Sequence, residues 1–292
     1  MLIRLLAAVG MLAFFVFGSY WAYDASRLYV FQSGFTGSAK YVLLFDSAFL
    51  LIPLVIFLGV FLGSISGKRK KTLVKDGKVL RHSETVFFQH WFHAMATILL
   101  IGTGTLLGLF FLPRFVSGPE NVGFVLNLHF IGVCAFLFTV SFHVTRGLLS
   151  GEMKENLPKR QDFSDAVAHY FSKAKPEEGK YFSSVKVSYL VWTILVSGIV
   201  LSGLFKVSAY VWDVPGWLAA AATIVHDLFT VGMVVMLIIH ITLGAVLPSS
   251  RPLLKSMFTG YVSEEYVKEN HVKWYREIME NMNRKKDSPE SN

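Results

Sequence analysis

The sequence has little cysteine and little charge: Cys134 is the single thiol among 292 residues, and only 16% of the residues are charged. One thiol excludes an internal disulfide, and it excludes an iron–sulfur cluster held by this chain's own thiolates. A charged fraction this low, beside a hydrophobic fraction of 53%, excludes an ordinary soluble domain. The sequence therefore predicts a membrane protein whose partners must supply any iron–sulfur chemistry.

Six long apolar runs account for the hydrophobic composition. They cover approximately residues 5–23, 43–63, 91–112, 122–145, 187–209 and 216–247. Because a helix needs ~20 apolar residues to cross the hydrocarbon core, the runs predict an all-α polytopic membrane protein. The first run also has the features of a secretory signal, with small residues near Ala22 and Ala25, so a retained helix and a cleaved signal both stay open.

The basic residues predict the orientation in the bilayer. If all six runs cross, 24 of the 28 basic residues lie on one side. The four on the other side are Arg27, Lys40, Arg114 and Lys206. The positive-inside rule places the rich side, and both termini, in the cytoplasm. The net charge of +8 is thereby explained by the lipid bilayer and requires no nucleic acid.

Four of the nine histidines lie at membrane depth, and they form two pairs with the same spacing. His129 precedes His143 by fourteen residues, and His226 precedes His240 by fourteen. Each pair falls within ~40° of one helix face and is separated by ~21 Å along the axis. Two such helices facing each other can hold two haem groups, since each iron takes an axial nitrogen from either side. A haem-free proton channel or transporter, with the histidines as a relay, is the alternative from a different class.

The outer pair is unambiguous, but the inner one is not. His129 and His226 are the outer histidines. At the inner level His240 can pair with His143, as the internal symmetry suggests, or with His90, with His93 as a further possibility. The guanidinium groups of Arg81 and Arg146 at the inner interface can pair with haem propionates or extend to lipid headgroups. His82, His169 and His271 fall in loops or the tail and are predicted to be exposed.

Several motifs indicate a resemblance to a known family. His90-Trp91 is followed by Thr103-Gly104, His129 is followed by Arg146, and the tail reads continuously from Gly260 through His271 and Trp274-Tyr-Arg-Glu-Ile. Together with the fourteen-residue spacing of the last pair, these residues resemble the gamma (cytochrome b556) subunits of membrane-bound formate dehydrogenases. The resemblance covers about residues 80–280.

The resemblance implies a ligand set and a domain order. His129 and His226 would ligate the outer haem b, and His90 and His240 the inner one, with His143 beside the inner haem or the quinone. Residues 1–70 lie outside the resemblance and are predicted to form two additional N-terminal hydrophobic helices, of which the first is either a retained helix or a signal peptide. Residues 71–259 would form a four-helix di-haem cytochrome b bundle, and residues 260–292 a cytoplasmic tail with an amphipathic interfacial segment.

The resemblance also implies a respiratory role in the bacterial cytoplasmic membrane. Electrons would come from a periplasmic iron–sulfur subunit and its molybdenum or tungsten catalytic subunit, and would reduce menaquinone or ubiquinone near the cytoplasmic face. This chain would carry no other substrate chemistry. Related cytochromes serve hydrogenases and thiosulfate or tetrathionate reductases, which remain alternatives.

The quinone end departs from the family. Members carry a loop reading G-K-Y-N-A-G-Q-K next to the quinone, whereas this chain has Phe182-Ser183-Ser184-Val185 in place of N-A-G-Q. The amide groups of the family loop are thus absent, and the type of quinone and its position stay open.

Overall fold

The computed structural model describes residues 2–31, 39–67, 74–109, 111–172, 176–209 and 212–287. Within these ranges the helices are, in chain order, α1 (Leu2–Arg27), α2 (Leu44–Ser47), α3 (Leu51–Ile65), α4 (Glu84–Leu107), α5 (Pro119–Ser150), α6 (Glu152–Asn156), α7 (Arg160–Phe171), α8 (Ser183–Ser208), α9 (Gly216–Ile241), α10 (Arg251–Thr259), α11 (Glu264–Asn270) and α12 (Val272–Asp287). The strands are β1 (Tyr29–Phe31), β2 (Ala39–Tyr41), β3 (Val74–Lys75), β4 (Lys78–Leu80) and β5 (Tyr261–Ser263). A π-turn at Thr242–Val246 continues α9.

Five of the described helices, α1, α4, α5, α8 and α9, are long and apolar enough to cross a bilayer. Only a minor share of the residues in the most apolar stretches of α1, α4, α8 and α9 is buried, so their outward surfaces are suited to lipid. The prediction of an all-α polytopic membrane protein is confirmed.

The second apolar run does not form the single helix that was predicted. The chain instead forms α2, a turn and α3, and the 15 residues of α3 extend only ~22 Å, short of the ~30 Å hydrocarbon core. Pro53 explains the interruption. It has no N–H, and its ring would clash with the carbonyl of Phe49 in a continuous helix.

Glycines bring this broken segment close to α5. A Cβ on Gly59 would lie 2.5 Å from the carbonyl oxygen of Phe138, and one on Gly63 would lie 2.8 Å from that of Phe142. The spacing of four residues places both glycines on one helix face, the small-residue arrangement by which membrane helices approach. At the other end, the backbone N–H of Leu44 donates to Oδ1 of Asn127 at 2.8 Å. The segment therefore follows α5 over most of its length.

The described residues divide into two compact units. The first comprises Met1–Gly67, Phe88–Leu149 and Leu195–Val235, and the second comprises Lys68–Phe87, Ser150–Ile194 and Met236–Asn292. The core of the first unit is apolar and is formed by α1, α5 and the segment around α2, with Ala22, Leu44 and Phe130 almost fully buried. Asn127 stabilises this junction, since its amide also donates to the carbonyl of Val42 at 3.0 Å.

In the second unit, the C-terminal tail joins a small antiparallel sheet in the order β3–β4–β5. The core beneath it contains Val79, Val262, Val267, Trp274 and Ile278. The predicted amphipathic tail is present, but Trp274 is only 3% exposed because it packs within this unit. The domain boundary that the sequence placed between residues 70 and 71 lies outside the described residues.

Candidate functional site

His129 and His226 line one cavity in the first unit, which we call the histidine cavity. It measures about 1160 Å³ including its open mouth, and residues of α4, α5, α8 and α9 form its walls. The walls are mainly aliphatic and aromatic, and the charged residues among them are Lys206 and Asp227. The structure therefore brings together the two histidines that the sequence paired at the outer level.

A hydroxyl group fixes the ring of His129. Nδ1 of His129 lies 2.8 Å from Oγ1 of Thr103, and the Thr103 hydroxyl donates to the carbonyl of Leu99 at 2.7 Å. Both hydrogen bonds form together only if Nδ1–H of His129 donates to the hydroxyl oxygen. Nε2 then keeps its lone pair, as a metal ligand requires.

The same arrangement occurs at His226. Nδ1 of His226 lies 3.1 Å from Oγ of Ser202, whose hydroxyl donates to the carbonyl of Gly198 at 2.8 Å. Nδ1 is therefore the protonated nitrogen here too, and Nε2 keeps its lone pair. The two histidines of the cavity share one tautomer.

A glycine follows Thr103 and another follows Ser202, and these glycines leave room beside the two imidazole rings. A Cβ on Gly203 would lie 3.2 Å from Cε1 of His226, and one on Gly104 would lie 3.8 Å from Cε1 of His129. The first distance is too short for an undisturbed ring, whereas the second is an ordinary contact. Gly203 is thus the more restrictive of the two positions.

These residues fit a haem iron with two histidine ligands. The apolar walls suit a porphyrin, and the paired imidazoles with fixed tautomers supply the donor atoms that a b-type iron takes. Lys206 is a cationic side chain in the wall and would provide a counter-charge for a propionate.

A second group of histidines occupies α4 and α5 within the first unit. Nδ1 of His93 lies 2.8 Å from Oγ1 of Thr139, and that hydroxyl donates to the carbonyl of Phe136 at 2.8 Å. His93 therefore has the same tautomer as His129 and His226, with the Nε2 lone pair available. The sequence ranked His93 last among the inner candidates, and no signal in the sequence reveals this hydrogen bond.

His143 contacts an amide instead of a hydroxyl group. The side-chain amide of Gln89 lies against Nδ1 of His143. Because an amide can donate through its nitrogen or accept through its oxygen, both tautomers of His143 are compatible with this contact. The ring of His90 lies 5.2 Å from that of Trp91, edge to face.

The remaining predicted residues fall in both units. His240 belongs to the second unit, where its ring centroid lies 6.3 Å from that of Trp192. Arg146 is buried in the last turns of α5 in the first unit, and Arg81 is buried in the second unit.

Two of the three histidines that were predicted to be exposed are buried. His82 is 9% exposed, and His271 is completely buried. The prediction was wrong for His271 because the tail folds over the loop before α8: its Nδ1–H donates to the carbonyl of Gly179 at 2.6 Å. The side chain of His169 lies outside the described part of the chain.

The loop that departs from the family, residues 182–185, is held by one aromatic contact and by polar contacts. Phe182 stacks on His271 at 4.4 Å between ring centroids. The Ser183 hydroxyl lies 3.0 Å from carboxylate oxygens of both Asp162 and Glu178. Burial raises the pKa of Glu178. Burial also opposes ionisation of Asp162, but hydrogen bonds from Lys159, Lys186 and Ser183 outweigh it and lower the pKa of Asp162.

Sequence reasoning missed the hydroxyl groups as supports of the histidines. A signal was present, because Thr103-Gly104 and Ser202-Gly203 repeat a hydroxyl–glycine pair one helix before each histidine. The repeat became meaningful only once the helices that face each other were known.

Comparison with known families gives a match within the chain. The family model described as prokaryotic cytochrome b561 matches residues 81–260, which include α4, α5, α8 and α9. A comparison with curated proteins gave no match.

Proposed function

The chain belongs to the prokaryotic cytochrome b561 family, and from its histidine and tail motifs we propose that it is the di-haem cytochrome b subunit of a respiratory formate dehydrogenase. Membership makes the chain an integral membrane cytochrome that binds haem b and transfers electrons. The proposal adds the number of haems, the ligands, the quinone and the partner complex.

The histidine cavity carries the proposal. His129 and His226 lie in one apolar cavity, and each has its Nδ1 proton bound to a hydroxyl oxygen. Bound there, haem b would supply a one-electron iron couple. The chain's own part is to hold both imidazoles in the ligating tautomer, to exclude water with aliphatic walls, and to set the local charge through Lys206 and Asp227.

For the second haem we propose His90 and His240. The helix motifs support this assignment, because His90-Trp91 and the fourteen-residue spacing from His226 to His240 match the family that the sequence resembles. His143 would then lie beside the inner haem or the quinone. Arg81 and Arg146 are proposed partners of propionates.

The partner assignment rests on the tail and on the helix motifs. Electrons would enter from an iron–sulfur subunit, itself reduced by a molybdenum or tungsten catalytic subunit outside the cytoplasmic membrane. Quinone would be reduced near the cytoplasmic face, where the tail also lies. Because Phe182 and Ser183 are engaged within their own unit, neither replaces the amides of the family loop at a quinone, and residues outside this loop would bind it.

The experiment uses native membranes that contain the whole complex. Formate should reduce about two b-type haems per chain before quinone is reduced, since electrons would pass through this subunit. Membranes with His226→Ala should lose formate-driven reduction of quinone, although the catalytic subunit still oxidises formate with an artificial acceptor. Reduction of the haems by hydrogen, but not by formate, would assign the chain to a hydrogenase instead.

A further inference from the structure

Arg81 is a buried cation that forms no ion pair with any carboxylate in the described part of the chain. The residue is only 6% exposed, and burial lowers the pKa of its guanidinium. Its guanidinium carbon lies 5.8 Å from the ring centroid of Tyr181 and 5.6 Å from that of Trp274. Guanidinium groups remain protonated in proteins, so the positive charge persists there.

His271 fixes the direction of this guanidinium. Because Nδ1–H of His271 donates to Gly179, its Nε2 is an acceptor, and Nη1 of Arg81 donates to it at 3.3 Å. The imidazole is thus neutral and uses both nitrogens. Stacking on Phe182, with an angle of 22° between the rings, prevents it from turning. A neutral ring orients a cation without neutralising it.

Part of the guanidinium is unsatisfied. Nε of Arg81 is buried and has no hydrogen-bond partner, and no carboxylate among the described residues forms an ion pair with Arg81. A buried charge normally has an opposite charge close to it, because its desolvation is costly. Aromatic rings offset only part of that cost.

We propose that Arg81 is the centre of an oxyanion site, which the C-terminal tail builds by orienting the guanidinium with His271 and covering it with Trp274. The ligand class is a carboxylate or phosphate, for which the planar fork of arginine is suited. A haem propionate is one source, and this source rests on the proposed function. The headgroup of an anionic phospholipid is the other. His271 and Trp274 are positioning residues in either case.

The test uses the purified full complex and compares Arg81→Gln with Arg276→Gln. Arg276 is the matched control, since it lies in the same tail but is exposed and paired with Glu177. Midpoint potentials of the haems are measured by optical redox titration. Retention of added phosphatidylglycerol, with phosphatidylcholine as the neutral comparison, is measured by native mass spectrometry.

A propionate ligand predicts that Arg81→Gln lowers the midpoint potential of one haem, because a positive charge near it is lost, while Arg276→Gln leaves both potentials unchanged. A lipid ligand predicts unchanged potentials and loss of phosphatidylglycerol only in Arg81→Gln. If neither quantity changes in folded Arg81→Gln protein, the oxyanion site is refuted.

Milder variants decide the matter if Arg81→Gln does not fold. Arg81→Lys keeps the charge without the fork, and His271→Gln removes the ring that orients it, so each should give a smaller change in the same quantity. No change in either variant would also overturn the proposal. Failure of the proposed function is distinguishable, because formate would then not reduce the haems of the wild-type complex, while the potential and lipid measurements on the Arg81 variants could still succeed.

Discussion

His129 and His226 in the first unit and His271 in the second are all at least partly buried, but their ring nitrogens have different partners. The cavity histidines each use Nδ1 on a hydroxyl group, which leaves the Nε2 lone pair available. His271 uses both nitrogens, one on the carbonyl of Gly179 and one on Arg81. Burial of a histidine therefore does not show whether it can act as a ligand, whereas the partners of its two nitrogens show whether one nitrogen is available.

The comparison is tested most strongly by removing one histidine of each kind. His226→Ala should reduce the b-haem content from about two to about one per chain, because a bis-histidine iron loses an axial ligand. His271→Gln should keep both haems. Haem is quantified per chain after purification, and equal loss in the two variants would contradict the distinction.

The inner histidines allow the same distinction within the first unit. Separate replacement of His90, His93 and His143 by Ala should remove one haem only for His90, because His90 and His240 are the proposed ligands of that haem. The reduced-minus-oxidised spectrum and the haem content serve as measurements. Loss confined to His93→Ala would transfer the role to the residue whose tautomer matches the cavity histidines.

Removing the hydroxyl groups that bind His129 and His226 should weaken haem binding without abolishing it. Thr103→Val or Ser202→Ala should weaken haem binding ~10–100-fold, the usual effect of losing the partner of a ligating histidine. Thr105→Val and Ser208→Ala are the controls, because these hydroxyls bond only backbone carbonyls of their own helices. Haem dissociation is measured as the transfer of haem to an apo-acceptor protein. Equal effects in the control variants would mean that the hydroxyls act on helix stability.

Adding a methyl group at Gly203 tests the space beside the ring of His226. Gly203→Ala places a Cβ 3.2 Å from Cε1 of His226, and the displacement should cost about 1 kcal/mol, the lower end for overpacking. Gly102→Ala is the control, since a Cβ there meets nothing within 4 Å. Haem affinity should fall for Gly203→Ala alone; a similar fall for Gly102→Ala would point to helix effects.

The smallest expected effect is a change in the midpoint potential of the haem, not in haem binding. Lys206 and Asp227 both line the cavity, so Lys206→Met should lower the midpoint potential of the haem there and Asp227→Asn should raise it. The reduced haem carries one more electron and is stabilised by positive charge. Redox titration should show these opposite shifts in one haem only, and shifts of equal sign would contradict the electrostatic account.

The fold class and the outer histidine pair could be predicted because each depends on regular spacing along helices. The interruption of the second segment also has a local signal, Pro53, although the length of the apolar run alone predicts a single helix. The role of His271 could not be predicted, since its partners Gly179 and Arg81 lie 92 and 190 residues away in the sequence. The hydroxyl supports depended likewise on knowing which helices face each other.

The central claim is that His129 and His226 hold one of two b-type haems. A dithionite-reduced minus oxidised spectrum of the purified wild-type chain, with haem quantified, tests it most directly. The account predicts a b-type spectrum with about two haems per chain, of which one is lost in His129→Ala and in His226→Ala. Properly assembled protein without a b-type signal, or with haem that survives both replacements, would contradict it.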